Sequence, residues 1–261
     1  MSLLAHVRSG QGPRPLLLLH GFLGAARNLA SLARGLAERD PSLSVFALDL
    51  TGHGASPPLP EGADTATLAR DVLATARTLD VPLPVRLVGH SLGGRVALHA
   101  GMLERSTVAH ITLLDISPSP LKPGGDTTAV VQALVSAPDV AHSREEFRVF
   151  FRTAGLADEV TDWLLLNLAR EGDVVRWRID RAALAALHAR ISAEDLWPAV
   201  EGRHPYSMRC VRGALSPYVN EGDARRLAAA GCPVDTIAGA GHFLHVEKPA
   251  DTLERVLAGL R

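Results

Sequence analysis

Six short apolar runs recur along the chain, and most are followed by a stretch with helical spacing. They read "PLLLLH" at 15–20, "SVFALDL" at 44–50, "VRLVG" at 85–89, "HITLLD" at 110–115, "SMRCVR" at 207–212 and "VDTIA" at 234–238. Each is nearly continuous rather than alternating, as a strand covered on both faces should be. Helical patterns occupy 28–38, 65–79, 92–104, 221–230 and 250–260. A parallel neighbour requires a crossover connection, so this repetition predicts an α/β fold: a mostly parallel, twisted sheet with helices on both faces. The weaker run "SLLAHVRS" adds a candidate edge strand near the start.

The rhythm breaks between about Pro118 and His204. That stretch opens on the Pro- and Gly-rich "SPSPLKPGG" and returns near "EGRHP". It holds no convincing strand and four helix-like patterns: "TTAVVQALVS", "SREEFRVFFRTA", "EVTDWLLLNLAR" and "RAALAALHARI". The expected organisation is a core from 1–117 and 205–261, with an inserted helical lid at 118–204.

Composition narrows the partners. The 261 residues carry 27 basic against 28 acidic side chains, and Arg is scattered rather than blocked. Such a balance argues against nucleic acid or an anionic membrane as the main partner. The start lacks the order of a signal peptide, and no apolar run approaches a membrane span, so a cytoplasmic protein without stable membrane insertion is expected. Cys210 falls in a strand and Cys232 just before the next, an offset too long for a bridge. Free buried thiols follow, and no metal-binding or redox cysteine motif is present.

The run at 85–89 continues into "GHSLGG", where Gly89, Ser91 and Gly93 satisfy G-x-S-x-G. A strand turning at once into a helix crowds its corner, so the flanking positions need small side chains. The turn would lift the Ser91 oxygen above the strand's carboxyl end, beside free N–H groups of the helix N-terminus. An anionic acyl-transfer intermediate needs such donors. The expected pair is the backbone N–H of Leu92 and that of Phe22, in the "HGFLG" that ends an earlier strand. His20 of that stretch reads as a loop organiser, as does His53 in "DLTGHGAS"; His90 reads as packed.

A nucleophilic serine needs a base and an acid. His242, in the Gly-rich loop "IAGAGHFLHVEKP" after the last strand, is best placed of the eleven histidines, with His245 three residues on. The acid is expected in the loop before that strand, yet "RGALSPYVNEGD" has no carboxylate until Glu221 and Asp223, which read as a helix start. Asp115, ending an earlier buried run, is the candidate instead, since a carboxylate there is costly to desolvate without a partner. Among lid aromatics, Phe147, Phe150, Phe151, Trp163 and Trp177 are spaced for packing as well as for a pocket. Phe22, Phe151, Trp163 and His245 are the candidate substrate contacts.

The motifs "HGFLG", "DLTGHGAS", "VGHSLGG", "LLDISPSP", "RGALSPYV" and "GAGHFLHVEKP" together resemble the α/β-hydrolase superfamily along the whole chain. The finer resemblance is to YbfF-type esterases and their eukaryotic relatives among the alpha/beta hydrolase domain proteins. It implies hydrolysis of a small-molecule ester or acyl thioester, no cofactor and no metal, and an acid after the earlier strand. Three alternatives stay open. "LGGRV" is also similar to the menaquinone-pathway lyase MenH, which places its acid in the later loop, and a carbon–carbon hydrolase would use the same triad. A haloperoxidase-like activity and a non-catalytic binding protein on this scaffold complete the set. Acyl length, leaving group and oligomeric state are open.

Overall fold

The computed structural model describes residues 3–121 and 126–260. The chain opens with strand β1 (His6–Ser9), then β2 (Arg14–Leu19), helix α1 (Ala30–Arg39), β3 (Leu43–Leu48), α2 (Thr65–Thr78), β4 (Val85–His90), α3 (Leu92–Leu103) and β5 (Val108–Leu114). It closes with β9 (Ser207–Gly213), α9 (Glu221–Ala229), β10 (Val234–Ile237), α10 (Leu244–Glu247) and α11 (Pro249–Gly259). The seven strands form one sheet in the order β1-β3-β2-β4-β5-β9-β10. Only the edge pair β1–β3 is antiparallel, with His6 opposite Leu48. All others run parallel.

The leucine run of β2 shows why the apolar stretches are continuous. Leu17 and Leu19 join the hydrophobic layer on one face of the sheet, while Leu16 and Leu18 join the layer on the other. A strand with two buried faces has no position to give to water. The carboxyl ends of β2, β4, β5, β9 and β10 therefore share one edge, and each leads into a loop there. Among the described residues, no helix is long and apolar enough to cross a membrane.

Between β5 and β9 lies the insertion: α4 (Asp126–Ser136), β6 (Val140–Ala141), α5 (Arg144–Thr153), α6 (Asp158–Leu165), β7 (Leu168–Glu171), β8 (Val174–Trp177), α7 (Arg181–Ala193) and α8 (Trp197–Glu201). The expectation of helices without a strand is corrected here. A three-stranded antiparallel sheet, ordered β6-β8-β7, crosses the segment. "EVTDWLLLNLAR" is helical only to Leu165, and its last residues form β7. These strands are too short, and too rich in exposed Arg and Glu, to write an apolar run. The readable signal was the turn "EGDV", where Gly172 takes φ 59°.

Both ends of the insertion are tied together. The Leu121 N–H donates to the Ser192 carbonyl at 2.8 Å, and the Leu196 N–H to that of Pro118 at 2.9 Å. Arg95 of α3, 1% exposed, donates to the carbonyls of Ser119 at 2.9 Å and Glu194 at 2.6 Å. The buried guanidinium thus holds the outgoing and returning chain against the core.

Candidate active site

Ser91 occupies the corner between β4 and α3 with φ 50° and ψ −116°. The crowding is measurable. A Cβ on Gly93 would lie 2.2 Å from the Leu19 carbonyl oxygen, and one on Gly89 2.2 Å from that of Gly93. Neither atom is a flexible side-chain end, so any larger residue would force β2, β4 and α3 apart. Among the described residues, the non-glycine residues with positive φ are Leu23, Ser91 and Asp115. All three sit in loops at the carboxyl edge of the sheet. Strain of this kind persists only where the surroundings impose it, and it concentrates at functional sites.

The loop after β2 comes up against the serine. A Cβ on Gly21 would lie 2.8 Å from His90 Nδ1 and 3.4 Å from Ser91 Cβ. Two buried imidazoles hold this loop. His20 donates from Nδ1 to the Gly21 carbonyl at 2.7 Å and accepts at Nε2 from the Leu50 N–H at 2.9 Å. His53 accepts at Nε2 from the Leu23 N–H at 3.1 Å and donates from Nδ1 to the Thr51 carbonyl at 3.1 Å. A backbone donor facing Nε2 requires that nitrogen to be unprotonated. Burial lowers His20 to about 4 and His53 to about 3, so both stay neutral near pH 7. Asn167 of the insertion donates to the Leu23 carbonyl at 3.0 Å, bracing the loop from above. The Phe22 and Leu92 amides have no acceptor among the described residues.

Asp115 follows β5 and is fully buried, at 0% exposure. Its Oδ1 accepts from the Gly213 N–H at 2.9 Å. Its Oδ2 accepts from the Ser216 hydroxyl and from His242 Nδ1, the latter at 2.7 Å. Three donors on one carboxylate offset the desolvation of a charge that burial would otherwise make very costly. Glu221 instead pairs with Arg212, and Asp223 accepts from Ser119 Oγ and Asn220 Nδ2, each at 2.9 Å. His242 is therefore bonded by Asp115 and by neither later carboxylate.

Other groups fix the His242 loop. Glu247 accepts from the Gly241 N–H at 2.5 Å and the Phe243 N–H at 3.0 Å, capping the turn on both sides of the histidine. His90 donates from Nε2 to the His242 carbonyl at 2.9 Å. The Tyr218 ring stacks on the imidazole with centroids 3.9 Å apart. Beyond these lies a cavity of about 750 Å³ between the core and the insertion, with Ser117, His188 and Tyr218 among its walls. Among the described residues, no group of three or more His, Cys, Asp and Glu side chains could hold a metal ion.

The four candidate substrate contacts part company. Phe22 packs on His188 at 5.1 Å, beside the cavity. Trp163 stands 5.8 Å from Phe243, which in turn lies 5.4 Å from His242, two rings away from the imidazole and outside the cavity wall. His245 packs behind the site, 4.7 Å from His90. Phe151 is corrected: it is fully buried inside the insertion, 6.1 Å from Trp177. Phe147 and Phe151 are the buried stripe of α5 and join the hydrophobic cluster that continues from the sheet into the insertion. Ser216, Tyr218, Glu247 and His188 were missed from sequence. The first two lay in plain view in "RGALSPYV", but a search for a carboxylate passes over a hydroxyl that serves one.

The sequence pattern of the alpha/beta hydrolase family matches residues 16–255. The chain belongs to the alpha/beta hydrolase family. Within it, the chain is 31% identical over 264 residues to the sn-1-specific diacylglycerol lipase ABHD11 of Xenopus laevis, covering 94% of this chain and 78% of that protein. It is 28% identical over 246 residues to esterase YbfF of Escherichia coli, covering 93% and 91%. These relatives confirm the YbfF-type branch of the alpha/beta hydrolases. A solved marine microorganism esterase superposes with a TM-score of 0.87 at 22% identity, over 99% of this chain and 100% of that one, and shares the fold.

Proposed function

We propose that the chain is a serine hydrolase that cleaves carboxylic esters or acyl thioesters through an acyl-enzyme on Ser91. The observation that carries this reading is the 2.7 Å bond from His242 Nδ1 to the buried Asp115 carboxylate. It forms at the strand end next to the Ser91 corner. Relatives named as esterases and lipases support the ester as substrate.

In this mechanism Ser91 Oγ attacks the acyl carbonyl while His242 Nε2 takes its proton. Among the described residues no hydrogen bond joins these two atoms, and neither is held by a competing partner. Asp115 fixes the ring with Nε2 outward and stabilises the imidazolium. The oxyanion accepts from the Phe22 and Leu92 amides, at the N-terminus of α3. His242 then protonates the departing alcohol or thiol, and an activated water releases the acid. The segment 118–204 serves as the cap that shapes the substrate cavity.

The test is labelling with a fluorophosphonate probe read by intact mass, alongside turnover of p-nitrophenyl butyrate. Wild type should gain one adduct, mapped to Ser91. Ser91→Ala should gain none and lose activity on the order of a million-fold. Near-full hydrolysis by Ser91→Ala would refute the mechanism.

A further inference from the structure

Most imidazoles near the site have a visible task. His20 and His53 each use both nitrogens to hold the loop that bears Phe22. His242 meets Asp115, and His90 holds the His242 carbonyl. His188 of α7 differs. Among the described residues its Nε2 is buried with no partner; His245 Nδ1 is too, but of these two rings it is His188 that stands in the cavity wall. Ser192 of the same helix bonds the His188 carbonyl, not the ring. A buried polar atom left unpaired needs an explanation, and an absent ligand is one.

The position of the ring suggests which ligand. It lies 5.1 Å from the Phe22 ring, whose backbone amide is the proposed oxyanion donor. It also walls the 750 Å³ cavity together with Tyr218, which stacks on His242. His188 thus stands in the cavity wall, one ring contact from Phe22, with Tyr218 of the same wall one ring contact from His242. Burial lowers its pKa below the ordinary value, so it is neutral there, with one N–H donor and one acceptor. Ser117, Thr128, Gln132 and Ser192 add hydroxyl and amide groups to the same lining. A purely hydrocarbon chain would leave the His188 ring nitrogen unanswered, whereas ligand pockets place their few polar groups to orient polar ligands.

We propose that His188 is a specificity residue whose imidazole hydrogen-bonds a hydroxyl carried by the ester close to the scissile carbonyl. The inference rests on the serine hydrolase reading. The hydroxyl can belong to the alcohol or the acyl part, and two matched pairs separate these sources. The alcohol pair is 2-hydroxyethyl butyrate against propyl butyrate. The acyl pair is ethyl 3-hydroxybutyrate against ethyl 3-methylbutyrate.

Wild type should prefer the hydroxylated member of one pair by about tenfold in kcat/KM. His188→Leu should erase that preference, bringing the ratio of kcat/KM within the pair to about one, with circular dichroism to report folding. His188→Gln, which keeps a donor and an acceptor, should recover part of it. Equal rates on both pairs in wild type would overturn the inference, whatever the variants do. So would a preference that survives in His188→Leu. Ser91→Ala assayed on the same esters keeps the two readings apart. If it is active, the hydrolase mechanism fails; if it is dead and wild type ignores the hydroxyl, only the role of His188 fails.

Discussion

The loops that leave β5 and β9 start side by side and meet at one hydrogen-bonded group, but they bring opposite chemistry to it. The first supplies the carboxylate of Asp115, on a residue with φ 53°. The second supplies only donors: the Gly213 N–H and the Ser216 hydroxyl. Sterics explain why Gly213, the last residue of β9, carries no side chain. A Cβ on Gly213 would lie 2.3 Å from the Gly241 carbonyl oxygen, inside the loop that carries His242. A loop without a carboxylate is therefore not a loop without a role; it completes the shell of its neighbour's.

Asp115→Asn should produce the largest effect on this contrast. It keeps the shape but presents the wrong partner to Nδ1, and a loss of about ten-thousand-fold in kcat is expected. Steady-state kinetics at fixed pH, with circular dichroism to confirm folding, read it. Gly213→Ala follows: the added methyl pushes on the His242 loop, and kcat should fall by about a hundredfold, since small misplacement of catalytic groups is costly. If Gly213→Ala were silent, the close approach would have no functional weight. Ser216→Ala removes one of three donors while the others remain. A drop of about tenfold in kcat with little change in KM is expected, on the scale of one charge-assisted bond. Smallest of all, Glu221→Gln and Asp223→Asn should keep kcat within about twofold, because neither carboxylate bonds His242 and each exchange keeps the side chain's size.

Acid should break the site from another side. His20 and His245 stand at about 4 and His53 at about 3, all depressed by burial from 6.5. The unfolded chain takes up these protons first as pH falls. Their contribution is intact above about pH 6.5 and is lost between there and about 4, at roughly one kcal/mol per pH unit for each group. Thermal melts from pH 7.5 to 4.5 should show Tm falling most steeply below 6.5. A flat profile would mean these rings are not held neutral.

Much of this was legible in the sequence because burial on both faces leaves a continuous apolar run in the central strands, and the half-exposed edge run at 234–238 became a strand of the large sheet as well. The Ser91 corner was legible for a similar reason, since Gly89 and Gly93 are dictated by contacts a Cβ cannot share. Asp115 was reachable by asking what a carboxylate does at the end of a buried strand. The small sheet β6-β8-β7 was not, because strands of two to four residues with solvent on one side carry almost no pattern. Phe151 misled because α-helical spacing is the same whether an aromatic faces a cavity or a core. His188 sat in a helix-like run and had no sequence neighbour to mark it; only its unpartnered nitrogen together with its place in the cavity wall singles it out.

The central claim is that Asp115, and no carboxylate after β9, accepts the hydrogen bond from the His242 Nδ1–H. The strongly deshielded proton resonance of that N–H tests it directly. Wild type, Asp223→Asn and Glu221→Gln should each show the downfield signal, and Asp115→Asn should lose it. A signal that persists in Asp115→Asn and vanishes in Asp223→Asn would contradict the account.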